Sequence, residues 1–181
     1  VRLRFAPSPT GCLHVGGLRT ALFCWFYVRQ QGGKFIFRLE DSDQKRLVEG
    51  AENDLIGMLK WAGIDLDESP RDVGESGPYR QSERLEIYNQ HVHKLLEEDN
   101  AYQCFCSEER LEKLKDEQWS KRETQRYDGF CRHLPREEVR CRIDSGEVHV
   151  VRMKIPDITE TLVLNDLIRG NVSIETSQTE D

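Results

Sequence analysis

The sequence contains no apolar run long enough to cross a bilayer, no signal-peptide pattern, no internal repeat and no low-complexity tract. A membrane-spanning helix and a repeat architecture are therefore excluded as readings. An excess of basic residues is also lacking. Lys and Arg total 26 against 33 Asp and Glu, a formal net charge of −7. That balance argues against indiscriminate nucleic-acid binding, which needs broad phosphate neutralisation. It leaves room for one specific RNA held on a local basic face. The six cysteines come without a secretory context, so they are not a disulfide framework by default. No initiating Met is present, and the chain closes on "SIETSQTED" without a terminating element. Both ends read as cuts, so any targeting segment would lie outside this sequence.

What is there suits a soluble globular protein: 181 residues, 37% hydrophobic and 33% charged. That length allows one good core or two modest lobes. The most unusual stretch is "FAPSPTGCLHVGG", Phe5 to Gly17. Pro7 and Pro9 forbid ordinary helix, while Gly11, Gly16 and Gly17 permit sharp turning and close approach of another group. An extended run, Val1 to Ala6, precedes it, and a helical one, Leu18 to Gln30, follows. Strand, stiff turn, glycines and helix form the layout of a phosphate-holding site in an open α/β sheet.

Periodicity extends this pattern. Leu18, Ala21, Leu22, Trp25 and Phe26 make one helical stripe, ended by Gly32-Gly33. "KFIFRLED" reads as a buried strand from Phe35 to Glu40. Ala51, Leu55, Met58, Leu59 and Ala62 then share a second helical face, with Gly63 beyond its end. A β-α-β-α order predicts α/β class with a parallel sheet. "DESPRDVGESGPYRQS" reads as a loop, and Ser82 as the N-cap of a third helix with Leu85, Tyr88, Val92, Leu95 and Leu96 on its face. After Asn100 come cysteine pairs, a short charged helix from Ser107 and strand-like runs "VHVVRMKI" and "TLVLND". These predict two domains: 1–100 as the α/β part, and 101–181 as an inserted α+β lobe.

Ligands of parallel sheets sit beyond the carboxyl ends of the strands. Arg4 and Ala6 fall at that end of the first strand, and Glu40 at that end of the second. One cation and one anion beside a glycine turn suit a zwitterion such as an amino acid, because each charge then finds a partner. The competing reading pairs Arg4 with Glu40 directly. His14, on a turn at a helix start, is placed to donate to a phosphate oxygen as charge builds there. A purely structural histidine is its alternative. Gly16 and Gly17 would let a phosphate or purine approach the backbone.

"RFAPSPTGCLHVGGLRTALF", "GGKFIFRLEDSD" and "GPYRQSER" together resemble the bacterial-type glutamyl-tRNA synthetases, a class I family that includes mitochondrial members. The resemblance runs from Val1 to about Gly170. "HVGG" looks like that family's version of the class I His-x-Gly-His signature, with Gly17 replacing its final histidine. The resemblance implies the first half of a Rossmann-type catalytic domain with an inserted acceptor-binding lobe. It implies ATP-dependent activation of L-glutamate and transfer to tRNA(Glu), by a protein monomeric when complete. By position, Arg4, Ala6, Ser8 and Glu40 would hold glutamate, and His14, Gly16 and Gly17 would hold ATP, with His14 catalytic. Mg2+ would accompany the ATP phosphates, although no carboxylates for it can be read. The lysine-rich loop and anticodon-binding domain of such enzymes are absent from these residues. The loop sequence from Ala62 to Tyr88 looks closer to mitochondrial members, which implies a mitochondrial matrix protein, with bacterial cytoplasm as the alternative.

Cys104-Phe105-Cys106 and Cys131-Arg132-His133 form C-x-C … C-x-H, with 24 residues between the pairs. These are ligand types of closed zinc sites, although the spacing is not the common finger pattern. Four unconnected side chains near a helix are the other reading. Members of the resembled family can carry zinc in this insertion, which implies Cys104, Cys106, Cys131 and His133 as ligands. Tyr127 is able to replace or support one of them. Cys24 reads as apolar filler, His91 and His93 as solvated, and "SEERLEKLKDEQ" as a solvated helix face. Two rivals remain. The smaller glutamyl-queuosine tRNA synthetases share a C-x-C … Y-x-x-x-C pattern that Tyr127 and Cys131 satisfy, but "GGLRTALF" and the long insertion favour the full synthetase. A non-catalytic, zinc-stabilised RNA-binding paralogue is the other.

Overall fold

Two four-residue strands, RLRF and KFIF, open the fold. In the computed structural model, which describes residues 1–156, 160–176 and 179–181, β1 (Arg2–Phe5) and β2 (Lys34–Phe37) pair in parallel. Positions 157–159 of "VVRMKIPDITETLVLNDLIRG" and 177–178 of "SIETSQTED" lie outside the described residues. Parallel neighbours need a crossover, and α1 (Val15–Gln30) supplies it. The helix begins three residues earlier than its apolar stripe predicts. Gly16 and Gly17 thereby become its first turn, and His14 its N-cap.

Of the predicted stripe, Ala21 is buried and Phe26 is 60% exposed, while Val28, one turn beyond Trp25 and Cys24, is fully buried. Phe35, Phe37, Leu55 and Leu59 complete the core of this unit together with Phe5 and Leu39. Full burial of one such side chain is worth roughly 1.5–3 kcal/mol. Leu55 and Leu59 come from α2 (Ala51–Trp61), whose apolar positions follow the predicted face.

β2 is shorter than the sequence suggests because the chain changes partners. Arg38 N still donates to Phe5 O, at 3.0 Å. Leu39 N then donates to Tyr79 O at 2.8 Å, and Gln81 N to Leu39 O at 2.9 Å. On the same side of β2, Phe37 N donates to Glu68 O. The predicted loop of 67–82 therefore meets the path of β2 as an irregular third strand.

Glu68 is the polar centre of that segment. Its carboxylate is 3% exposed, accepts Arg2 Nη1 at 2.6 Å and Nη2 at 2.7 Å, and lies 3.3 Å from Lys34 Nζ. The Tyr79 hydroxyl also donates to it. A Cβ on Gly74 would meet this carboxylate at 2.5 Å, so the loop passes where only glycine fits. The Arg2 and Tyr79 hydrogen bonds hold the Glu68 carboxyl down to about 2.

The chain divides into two compact units, Val1–Tyr88 and Asn89–Asp181, and α3 (Leu85–Glu97) runs from the first into the second. Ser82 does not cap α3; it lies in a single tight turn, Gln81–Arg84, and its hydroxyl donates to Asp41 instead. In the second unit β3 (Ala101–Cys104) pairs antiparallel with β4 (Val150–Met153). Between them α4 (Glu108–Ser120) starts at the predicted Ser107 cap, and α5 (Arg136–Asp144) follows. A hairpin of β5 (Thr161–Asp166) and β6 (Gly170–Glu175) comes last. β3, α5 and β6 had no strong periodic signal. β3 is four residues long, and α5 carries so many charges that it shows no apolar face.

Candidate active site

At the carboxyl end of β1 a cleft of about 300 Å3 opens over the Pro-Ser-Pro turn. Ser8, His14 and Gly17 line it, with Phe5 and Leu55 as its apolar floor. Of the predicted ligand-binding residues, these three are therefore brought together. Arg4, Ala6, Gly16 and Glu40 stand outside its lining.

His14 is held by the helix it begins. Its Nδ1 accepts from Gly16 N at 3.1 Å and Gly17 N at 3.3 Å, satisfying two amides that a helix start leaves orphaned. Because Nδ1 is the acceptor, the proton of the neutral imidazole sits on Nε2. The exposed side chain thus offers one N–H donor at the positive end of a 16-residue helix. The predicted role of Gly16 changes accordingly. A Cβ there would stand 3.0 Å from the imidazole, so glycine makes room for the histidine ring. In this conformation the two glycine amides are engaged by His14.

Arg4 is exposed and has no side-chain partner among the described residues. The direct Arg4–Glu40 ion pair is not formed. Glu40 instead lies 3.5 Å from Arg38, whose Nη2 also reaches the Tyr88 hydroxyl at 3.4 Å. Ala6 is half-buried. The backbone of Glu40 is fixed beside the turn, its N donating to Pro7 O at 3.0 Å. Sequence reasoning missed Arg38 because an arginine just past the end of a strand carries no periodic signal of its own.

The cysteines form a second centre. Cys104, at the end of β3, Cys106 and Cys131 put their sulfurs within 4.8 Å of one another. Cys106 Sγ and Cys131 Sγ are 3.6 Å apart. Thiolates around a tetrahedral zinc stand about 3.8 Å apart, given Zn–S bonds near 2.3 Å. The three sulfurs fit such an ion.

Tyr127 completes the group. Its hydroxyl accepts from Cys131 N at 3.0 Å and lies 3.3 Å from Cys104 Sγ and 3.5 Å from Cys106 Sγ. Burial raises the Cys104 thiol, but hydrogen bonds from Tyr127, Cys106 and Arg152 outweigh it and bring it down to about 7. His133 is exposed and stands outside the cluster, which corrects the C-x-H half of the predicted set. Leu134 N bonds back to Cys131 O at 3.4 Å, a tight turn that carries His133 outward while Leu134 packs inward.

The family model described as "tRNA synthetases class I (E and Q), catalytic domain" matches residues 1–181. Among curated relatives, the glutamate–tRNA ligase of Alkaliphilus metalliredigens is 46% identical over 188 residues, covering 100% of this chain and 38% of the relative. That of Pseudomonas paraeruginosa is 50% identical over 175 residues, covering 96% of this chain and 35% of the relative. A crystal structure of a glutamate tRNA ligase from Elizabethkingia meningosepticum, in complex with its amino acid, superposes with a TM-score of 0.90 at 40% identity. It covers 100% of this chain and 37% of that one. The chain thus spans somewhat over a third of the length of these proteins.

Proposed function

Because this chain belongs to the catalytic-domain family of class I tRNA synthetases for E and Q, we propose that it supplies the first half of a glutamate–tRNA ligase active site. The reaction joins L-glutamate to tRNA(Glu) in two steps. A glutamate carboxylate oxygen attacks the α-phosphorus of ATP and the bond to pyrophosphate breaks; the terminal ribose hydroxyl then attacks the adenylate's acyl carbon, and the acyl–phosphate bond breaks to release AMP. The single observation that carries this reading is His14, whose Nδ1 is tied to the start of α1 so that Nε2 is the donor beside the cleft. A donor fixed there meets charge that grows on the phosphate in the transition state. Ser8 and the unpaired Arg4 serve glutamate's carboxylates, and Glu40 its ammonium group. Gly16 and Gly17 are assigned to ATP alongside His14. Any Mg2+ arrives on the ATP phosphates, because no carboxylate lines the cleft among the described residues.

In this reading the second unit is the acceptor-binding lobe, and zinc on Cys104, Cys106, Cys131 and Tyr127 ties β3 to the segment before α5. Zinc there contributes folding energy and takes no part in the reaction. The test is charging of tRNA(Glu) and tRNA(Asp) with labelled glutamate by the protein at its full natural length. Charging of tRNA(Glu) that Arg4→Ala abolishes is the expected result. Charging of tRNA(Asp) alone indicates the queuosine-modifying reaction, and no charging of either overturns the ligase reading.

A further inference from the structure

We propose that Asp41 is a positioning residue for the glutamate site, latching the backbone that presents Glu40 by means of two hydrogen bonds from Ser82. The proposal rests on the role of Glu40 assigned above. β2 ends at Phe37, so the residues that follow have no regular ladder to hold them. Glu40 is nevertheless pinned on both flanks. Before it, Leu39 exchanges hydrogen bonds with Tyr79 and Gln81. After it, the Asp41 carboxylate accepts Ser82 N at 2.9 Å and Ser82 Oγ at 2.6 Å. On the opposite side Glu40 N donates to Pro7 O. The ammonium-holding residue is thereby locked between the Pro-Ser-Pro turn and the 79–82 segment.

A carboxylate suits this task because bonds to a charged acceptor are shorter and stronger than neutral ones. Asp41 is 8% exposed and both its oxygens are engaged by Ser82, which leaves it in no position to bind a substrate directly. Burial pushes its pKa up, but the Ser82 hydrogen bonds and the Arg80 charge bring it below the ordinary carboxylate value, so it stays ionised at neutral pH. The segment it grips is itself anchored. Arg80 Nε and Nη2 donate to the Glu52 carboxylate of α2 at 3.0 and 2.9 Å. A latch between two anchored stretches transmits position, and a small misplacement of a substrate-holding group is costly in rate.

Asp41→Asn turns one acceptor oxygen into a donor facing a donor. Ser82→Ala removes one of the two bonds, and Ser82→Thr keeps both. In steady-state charging by the full-length protein, Asp41→Asn should raise KM for glutamate about tenfold and Ser82→Ala less, with Ser82→Thr near wild type and KM for ATP within about twofold throughout. A positioning role predicts that split. Residues that merely support the fold would lower the unfolding midpoint while moving neither KM, or both together, and either result overturns the latch. Should Asp41→Asn fail to fold, the Ser82 pair decides on the same comparison. A wild-type protein that does not charge tRNA with glutamate overturns the functional reading beneath the proposal, whereas a charging wild type with unshifted variants overturns the latch alone.

Discussion

Glu68→Gln separates what holds this fold from what works in its cleft. The side chain keeps its shape, but an amide replaces a carboxylate that Arg2, Lys34 and Tyr79 surround. Arg2 and Lys34 open β1 and β2, so the network staples the amino ends of the strands, away from the cleft at their carboxyl ends. The interaction lowers the Glu68 carboxyl from 4.5 to about 2. By linkage that fall is worth about 3 kcal/mol at neutral pH, and the exposure of Arg2 trims it toward about 2 kcal/mol. Because the folded-state value is the depressed one, this stability is complete above 4.5 and drains away as pH falls toward about 2.

The assay is urea unfolding at pH 7 and pH 3, followed by the fluorescence of Trp25 and Trp61 with Trp119 replaced by Phe. At pH 7 the variant should be about 2–3 kcal/mol less stable, and by pH 3 the gap should shrink to about 1 kcal/mol. KM for glutamate and ATP should stay at wild-type values. A gap independent of pH would refute the electrostatic reasoning, and a glutamate KM that follows Glu68 would refute the division between the two strand ends.

Two further predictions concern the chemistry. The purified chain should hold about one zinc, lost in Cys106→Ser and retained in His133→Ala, as metal analysis would show; loss in His133→Ala would restore His133 as a ligand. His14→Ala and His14→Asn should each slow adenylate formation by about a hundredfold. Only the alanine variant should also lose about 1 kcal/mol in thermal unfolding, because Asn still caps a helix. An alanine variant as stable as the asparagine one would mean that the Nδ1 cap contributes nothing.

Much of the first unit was legible because its determinants are local. Pro7, Pro9 and Gly11 dictate a turn wherever they stand, and the spacing of Ala51, Leu55 and Leu59 marks a buried face without knowing its partner. The helix from Ser107 was readable for the same reason, since a serine before a charged run caps locally. The cysteine pairs announced ligand types without deciding whether they meet, and the fold brings three of the sulfurs together.

What tertiary structure decided is which residues of distant segments face each other. No pattern in "GPYRQSER" says that Ser82 gives up capping α3 to bind Asp41, because that choice depends on β2 ending where the 79–82 segment begins to pair. Nor does spacing say that Arg4 and Glu40 stay apart while Arg38 takes the carboxylate. At the cysteine centre, one turn at Cys131 leaves the Tyr127 hydroxyl, and not His133, beside the sulfurs. Sequence by itself determined the local conformations and the chemical types at the strand ends. Their partners were settled only by packing, because a hydrogen bond or ion pair is specified by distance in space, which the order of residues along the chain does not encode.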